Sequence, residues 1–430
     1  MITELKTIGG KPLSRFYKLP FAKGSRILTL QVLEMHTAFR VRKNPNLLAM
    51  ASLSFNVGML TISVKLDKEE PAKVYLFVAY DCLLVSCSID TDETYLSYCA
   101  YRALRAMMWN GCHDFDEYYW PECFNVDTEQ SEYIAVINSG NRLKVALKEK
   151  FKGFYKPDDY FPEVVERVVV PRAAVVGKQL ITNVDSVGIG YCFANTDLVK
   201  FHTNHYPFLV PYLFTLNNDG KRFKQYNGFV FNAHDIGGIN LSPQQLMLND
   251  ICFAMKKIAL IHRNKHDDLP ETLLEINLFN NANELELFYL WNRALPLLVQ
   301  QPFTHYLYSF GMRNIAGKPM KKNMEPLAFS LTVPVLSFVL TDKGNYYEFL
   351  LRLKVNGKVL QLSKSDVALF MVRDKAKPNL WYLLGAEMDY RLMCFFSRVN
   401  FRMQVPKGYY KAFFERYVEG LERFYEVRRM

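Results

Sequence analysis

No run of eighteen apolar residues occurs anywhere in this 430-residue chain, so nothing in it reads as a membrane-spanning helix. The N-terminal stretch MITELKTIGGKPLSRFYKLP has no apolar signal core. Low-complexity segments and internal repeats are absent. The eight cysteines are scattered, with no disulfide-framework spacing, and several fall inside apolar runs. That pattern predicts reduced thiols and a cytoplasmic protein. A nucleotide-binding P-loop is missing as well. Five Gly-Lys pairs occur, at Gly10-Lys11, Gly177-Lys178, Gly220-Lys221, Gly317-Lys318 and Gly357-Lys358. None has the earlier Gly and the following Ser or Thr that let backbone N–H groups cradle phosphates and a hydroxyl reach the metal. No Asp-Glu-x-His-like acidic pair follows an apolar strand, and no Gly-x-Ser-x-Gly elbow is present. The chain is therefore expected not to hydrolyse ATP and to be no enzyme.

Half of the residues are apolar, with 26 Tyr and 32 Phe, so material for packed cores is ample. The length suggests two or three domains. The formal net charge is +10 and the pI is near 9.0, which favours a polyanionic partner without identifying one.

The most informative stretch is Lys73 to Trp109. Val74–Tyr80 and Leu83–Ser88 read as two short strands rich in β-branched and aromatic residues. A polar run, Asp90–Thr94, precedes an amphipathic helix with Leu96, Cys99, Ala103, Leu104 and Met107/Met108 on one side. Cys87 closes the second strand and Cys99 opens the helix. This order resembles the SWIM zinc module, a ββα unit with a Cys-x-Cys pair ending a strand and a Cys-x-His pair beginning a helix. Here Ile89 and Tyr101 stand where the second and fourth ligands belong, and two thiolates do not close a structural zinc site. One reading completes the set from Cys112, His113 or Cys123. The other takes Cys87 and Cys99 as small buried apolar residues in a module that has lost its metal, folding without zinc or any other cofactor.

The rest of the chain predicts an α+β protein of three units: residues 1–150, 151–324 and 325–430. In the first, ILTLQVLEM, TAFRVRK, LLAMASLSF and MLTISVKL alternate like strands, with turns at Asn44-Pro45-Asn46 and Asn56-Val57-Gly58. The aromatic cluster Phe115, Tyr118, Tyr119 and Trp120 is either a stacking surface or packing over the sheet. Phe151–Asp159 reads as a connector. In the middle unit, Val164–Val170, Val187–Ala194 and Phe208–Leu216 are candidate strands. Ser242-Pro243, with Gln245 as capping-box partner, opens a long helix to about Arg263. Asp268-Leu269-Pro270-Glu271 starts a second helix, and Asn283–Gln300 makes a third. In the last unit, Pro334 places a bulge or an edge in LAFSLTVPVLSFVLT. Lys343-Gly344-Asn345 and Asn356-Gly357 are hairpin turns, the latter of the strongest two-residue kind. Leu380–Leu384 is a strand; Met388–Ser397 and Tyr410–Tyr425 are helices.

This last order, VLSFVLTD, YYEFLLRLKVNGKVLQL, WYLLGAEMDYRLMCFF and FFERYVEGLERFYEV, resembles the region just before the motor in bacterial Swi/Snf-type helicases of the Bacteroidetes kind. Those proteins also carry a SWIM-like module near the N-terminus. The resemblance implies a non-catalytic accessory region that binds nucleic acid for a Swi/Snf-type motor joined to it or supplied in trans. A stand-alone cytoplasmic protein–protein interaction role is the alternative.

Candidate chemistry in the side chains is sparse. His202 and His205 could share a turn, and His262 and His266 lie one helical turn apart, but Arg263 stands where a metalloprotease has Glu. His234-Asp235 beside Gly237-Gly238 reads as a turn first. The strongest polar signal is basic. Gly311–Asn323 holds Arg313, Lys318, Lys321 and Lys322 with no acid, and Lys375 and Lys377 form a second basic turn. Basic loops beside aromatic residues suit phosphate contacts, so these six residues are the candidate nucleic-acid contacts, with weak, non-specific duplex DNA as the expected ligand. The competing reading is a solvated basic face.

Overall fold

The computed structural model describes the chain apart from residues 1–6, 9, 23–24, 38–46, 68–69, 90–94, 109, 122, 124–130, 140–141, 158–160, 173–186, 196–205, 218–222, 260–269, 309–314 and 316–317. It is an α+β protein with mostly antiparallel sheets. The chain forms two compact units, Met1–Asp159 and Tyr160–Met430.

The first unit is built on a five-stranded antiparallel sheet. Its strands run in the order Tyr17–Pro20, Cys82–Cys87, Ala72–Val78, Met59–Leu66 and Leu47–Asn56. The ββα order is present: the Ala72–Val78 and Cys82–Cys87 hairpin leads to the helix Tyr98–Met107, capped by the Ser97 side chain. Ala100, Ala103 and Leu104 on that helix's inner side are fully buried, as is Leu96 just before its cap. One expectation fails here. Ile27–Thr29 is a short strand paired with Cys112–Asp114, but Leu30–Met35 is helical rather than extended. Thr29 caps that helix by accepting from the Val32 N–H, and Leu, Gln, Glu and Met are all good helix formers; this local start signal prevails over the strand-like alternation.

Phe151–Asp159 is no free connector either. Phe151, Phe154 and Tyr155 are buried, and Lys156 donates to the Asp116 carboxylate and lies over the Trp120 ring. Phe115, Tyr118, Tyr119 and Trp120 are all buried, so the cluster packs; it offers no stacking face.

The second unit joins what the sequence divides into two. A five-stranded sheet (order Phe223–Phe229, Phe208–Leu216, Val187–Asn195, Thr304–Tyr308, Met324–Pro326) carries the helices Pro243–Ala259 and Pro270–Leu298. The first helix begins with the expected capping box: Gln245 N–H donates to Ser242 Oγ and Ser242 N–H to Gln245 Oε1. The two later helices of the sequence reading are one helix, Pro270–Leu298, which runs through the Asn-rich step at 280–283. Two further sheets follow. One has the order Ala328–Ser330, Lys377–Leu383, Met371–Asp374, Val367–Ala368; the other has Lys358–Val359, Tyr346–Val355, Val335–Asp342, Glu426–Arg429, with Arg402–Pro406 also paired to Tyr346–Val355. Pro334 sits where the chain leaves one of these sheets for the other.

Aromatic packing explains why no boundary falls near residue 324. Phe193 of the five-stranded sheet makes edge contacts with Trp291 of the long helix (5.3 Å) and with Trp381 of the next sheet (5.0 Å). Tyr306 stacks on Trp381 at 5.5 Å. A shared core of such rings makes the parts one body.

Among the described residues Val164–Val170 belongs to no sheet strand, and its ladder contact is a bridge from Val169 to Ala386. Instead it is a strap held by charge. Arg167 grips the fully buried Asp389 through Nε at 2.8 Å and Nη2 at 3.0 Å, and Tyr425 donates to the same carboxylate at 2.8 Å. The strap also crosses Gly420, where a Cβ would meet the Val164 carbonyl oxygen at 2.8 Å.

Candidate nucleic-acid interface

The basic loop is anchored from below. Ile315 is fully buried and Pro319 is buried, whereas Lys318, Lys321 and Lys322 are exposed. Lys321–Asn323 is a single 3-10 turn closed by Asn323 N–H to the Met320 carbonyl. From there the chain passes through Met324–Pro326 and enters Ala328–Ser330, which pairs in parallel with Lys377–Leu383, Ala328 opposite Leu380. Parallel pairing means that both strands are entered from the same end. The Lys318–Lys322 loop and the Lys375–Lys377 turn therefore both feed one end of this strand pair. Arg313 lies outside the described residues, as do His202, His205, His262 and His266.

Lys375-Ala376 is the tip of a tight hairpin in which Asp374 pairs with Lys377. The Asp374 carboxylate accepts from the N–H groups of Ala376 (3.1 Å) and Gln361 (3.3 Å), while Lys375 N–H donates to the Gln361 carbonyl (3.0 Å). These bonds bring the segment around Gln361 alongside the turn. Lys358 and Lys364, three residues to either side of Gln361, thus join the basic set, and both are exposed. Sequence reading missed them. The Asn356-Gly357 turn, with φ of 49° and 77°, signals a hairpin at Lys358. The pairing of Gln361 with Asp374 and Lys375 is non-local, however, and no local pattern announces it.

Ion pairing distinguishes this set from several other cations of the unit. Lys354, Lys407, Arg402, Arg416, Arg428 and Arg429 all reach a carboxylate within 4 Å. Lys318, Lys321, Lys322, Lys358, Lys364, Lys375 and Lys377 form no ion pair among the described residues. Of the neighbouring acids, Asp366 is buried and bound by Arg373 Nε at 3.0 Å and by Ser363, Asp374 is half-buried and accepts from backbone N–H groups, and Glu325 is exposed. What lies outside is mainly positive charge on short, hydrogen-bonded turns, and such an arrangement can hold phosphate oxygens.

The cysteine candidates lie in different settings. Cys87 is fully buried, Cys99 and Cys123 are buried, and Cys112 is exposed on a strand where His113 faces the other way, against Phe115 at 4.6 Å. Burial lowers the His113 pKa. Ile89, at the place of a SWIM ligand, is 61% exposed. Among the described residues no three His, Cys, Asp or Glu side chains converge as a metal site would require. His234-Asp235 is a turn: the Asp235 carboxylate accepts from the N–H groups of Phe231 and Asn232. Among the described residues no helix is long and apolar enough to cross a membrane.

No family model, curated protein or solved structure matches the chain.

Proposed function

We propose that the chain is a non-catalytic nucleic-acid-binding region that serves a Swi/Snf-type DNA-dependent motor in the cytoplasm. The observation that carries this reading is the set of seven exposed lysines that form no ion pair among the described residues, on turns at Lys318–Lys322, Lys358–Lys364 and Lys375–Lys377. Lysines without a partner can meet phosphates with no ion pair to exchange, and they release condensed counterions from the duplex on binding. The resemblance of the 335–425 region to the segment that precedes Swi/Snf motors supports the context. Positioning contacts of this kind carry no sequence information, so binding is expected to be sequence-tolerant and roughly micromolar at physiological salt. The test is fluorescence anisotropy with several unrelated duplexes. Changing Lys321, Lys322, Lys375 and Lys377 together to Glu should weaken all of them by the same factor. Unchanged binding would make the lysines a solvated face only.

The alternative, a protein–protein interaction role, draws on the strap. Val165, Val168 and Val169 are 81%, 56% and 48% exposed there, an unusual concentration of branched apolar side chains on one short segment. Failure of duplex binding at low salt would move this reading ahead.

A further inference from the structure

A second surface of the same unit has a different chemistry. The rings of Tyr347 and Tyr410 stack with centroids 3.8 Å apart and planes at 28°. Tyr410 continues to Phe414 at 5.8 Å. All three rings are partly exposed. Tyr347 lies on the strand Tyr346–Val355, and Tyr410 and Phe414 lie one helical turn apart on the closing helix. Each end of this ladder carries a cation: Lys407 Nζ is 5.5 Å from the Tyr347 ring centre, and the Arg429 guanidinium is 5.1 Å from that of Phe414. Lys411, on the same helix, has its side chain 89% exposed.

The ladder is not needed to close the core. That is done by the other side of the helix, where Phe413, Tyr417, Val418 and Leu421 are fully or almost fully buried. The helix departs from α geometry over Phe414–Val418, where it widens to a π turn, a feature frequent at functional positions. Both flanking cations are met by carboxylates, Lys407 by Asp342 at 3.0 Å and Arg429 by Glu422 at 2.5 Å, with the side chains between 32% and 58% exposed. Solvated pairs of this sort are worth little, so a phosphate can replace the carboxylate at small cost. Rings with open edges between two exchangeable cations match a strand that offers bases and phosphates alternately; a duplex, with its bases stacked inside, presents only phosphates.

We propose that the Tyr347–Tyr410–Phe414 ladder is a binding site for single-stranded nucleic acid, taking unpaired bases against its rings and the adjoining phosphates on Lys407 and Arg429. This site is separate from the lysine turns and does not depend on their role. Base-on-ring stacking contributes about 1–3 kcal/mol per base, so loss of one ring should weaken binding roughly tenfold.

The experiment is anisotropy with a labelled oligothymidine and a labelled duplex of equal length, on the full chain and on Tyr410→Leu, Lys407→Glu and the quadruple lysine variant used above. The expected result is that Tyr410→Leu and Lys407→Glu each lose about tenfold for oligothymidine and leave duplex binding unchanged, whereas the quadruple variant weakens both ligands, whose phosphates the lysine turns do not distinguish. Thermal melting controls for folding, and Lys407→Glu, an exposed change, provides a second probe if Tyr410→Leu unfolds. Equal oligothymidine affinity in the parent and Lys407→Glu, or equal losses for both ligands in Tyr410→Leu or Lys407→Glu, would overturn the proposal. Loss of binding in the quadruple variant would leave it standing.

Discussion

Val57 occupies a conformation that its side chain resists. It forms, with Gly58, the two-residue turn between Leu47–Asn56 and Met59–Leu66, and its φ is 48°. A β-branched residue at positive φ is strained by about 1–3 kcal/mol. The equivalent turn in the second unit uses Asn356, the residue type such turns favour. Val57→Asn should therefore stabilise the first unit by about 1 kcal/mol, read as a rise in its melting temperature; a fall would mean that the Val57 side chain makes packing that offsets the strain. Asp389 tests the opposite kind of residue. It is fully buried and accepts from both Arg167 and Tyr425. Asp389→Ala leaves a guanidinium without its partner and should cost about 3–5 kcal/mol by chemical denaturation. A cost below about 1 kcal/mol would show that the strap is not held by this pair.

At the scale of elements, the contact between the long helix Pro270–Leu298 and the helix Glu387–Arg398 is titratable. Burial pushes the Glu284 carboxyl up to about 7, against the favourable charges of Arg391 and Arg398 and a hydrogen bond from Tyr206, with Glu387 adding to the rise. A carboxyl raised in the folded state binds its proton more tightly there than in the unfolded chain. Its contribution is thus present below the ordinary glutamate range and is lost as pH rises through about 7. Glu284→Gln should flatten the decline in stability between about pH 4.5 and 7, followed by denaturant midpoints across that window; parallel profiles for the two proteins would contradict the assignment.

Elements with a local signature were legible in the sequence. The Ser242–Gln245 capping box, the Asn356-Gly357 turn and the Cys82–Cys87 to Tyr98–Met107 order all carry their cause within a few residues. What escaped was decided by distant contacts. The sequence reading starts a separate helix at Asn283, yet one helix runs from Pro270 to Leu298, with Trp291 packed against Phe193. The strand reading of Val164–Val170 followed from its valines, while its actual role depends on Asp389, more than two hundred residues away. Of the site, Lys318, Lys321, Lys322, Lys375 and Lys377 were readable from charge alone. Lys358 and Lys364 were not, because they join through Gln361.

For the whole molecule, net charge is a weaker guide than the distribution of ion pairs. A total of +10 says nothing about where a polyanion would bind. Among the described residues of the second unit several arginines and lysines are matched to carboxylates, and seven exposed lysines without an ion pair lie on three turns. The central claim is that these lysines bind phosphates, and the dependence of duplex affinity on salt tests it most directly. Each phosphate contact contributes roughly 0.9 to the slope of log affinity against log salt. The full chain should show a steep decline. In the Lys321, Lys322, Lys375, Lys377 to Glu variant the slope should be shallower by roughly 2–4, the equivalent of the lost contacts. An identical slope in the two proteins would contradict the account.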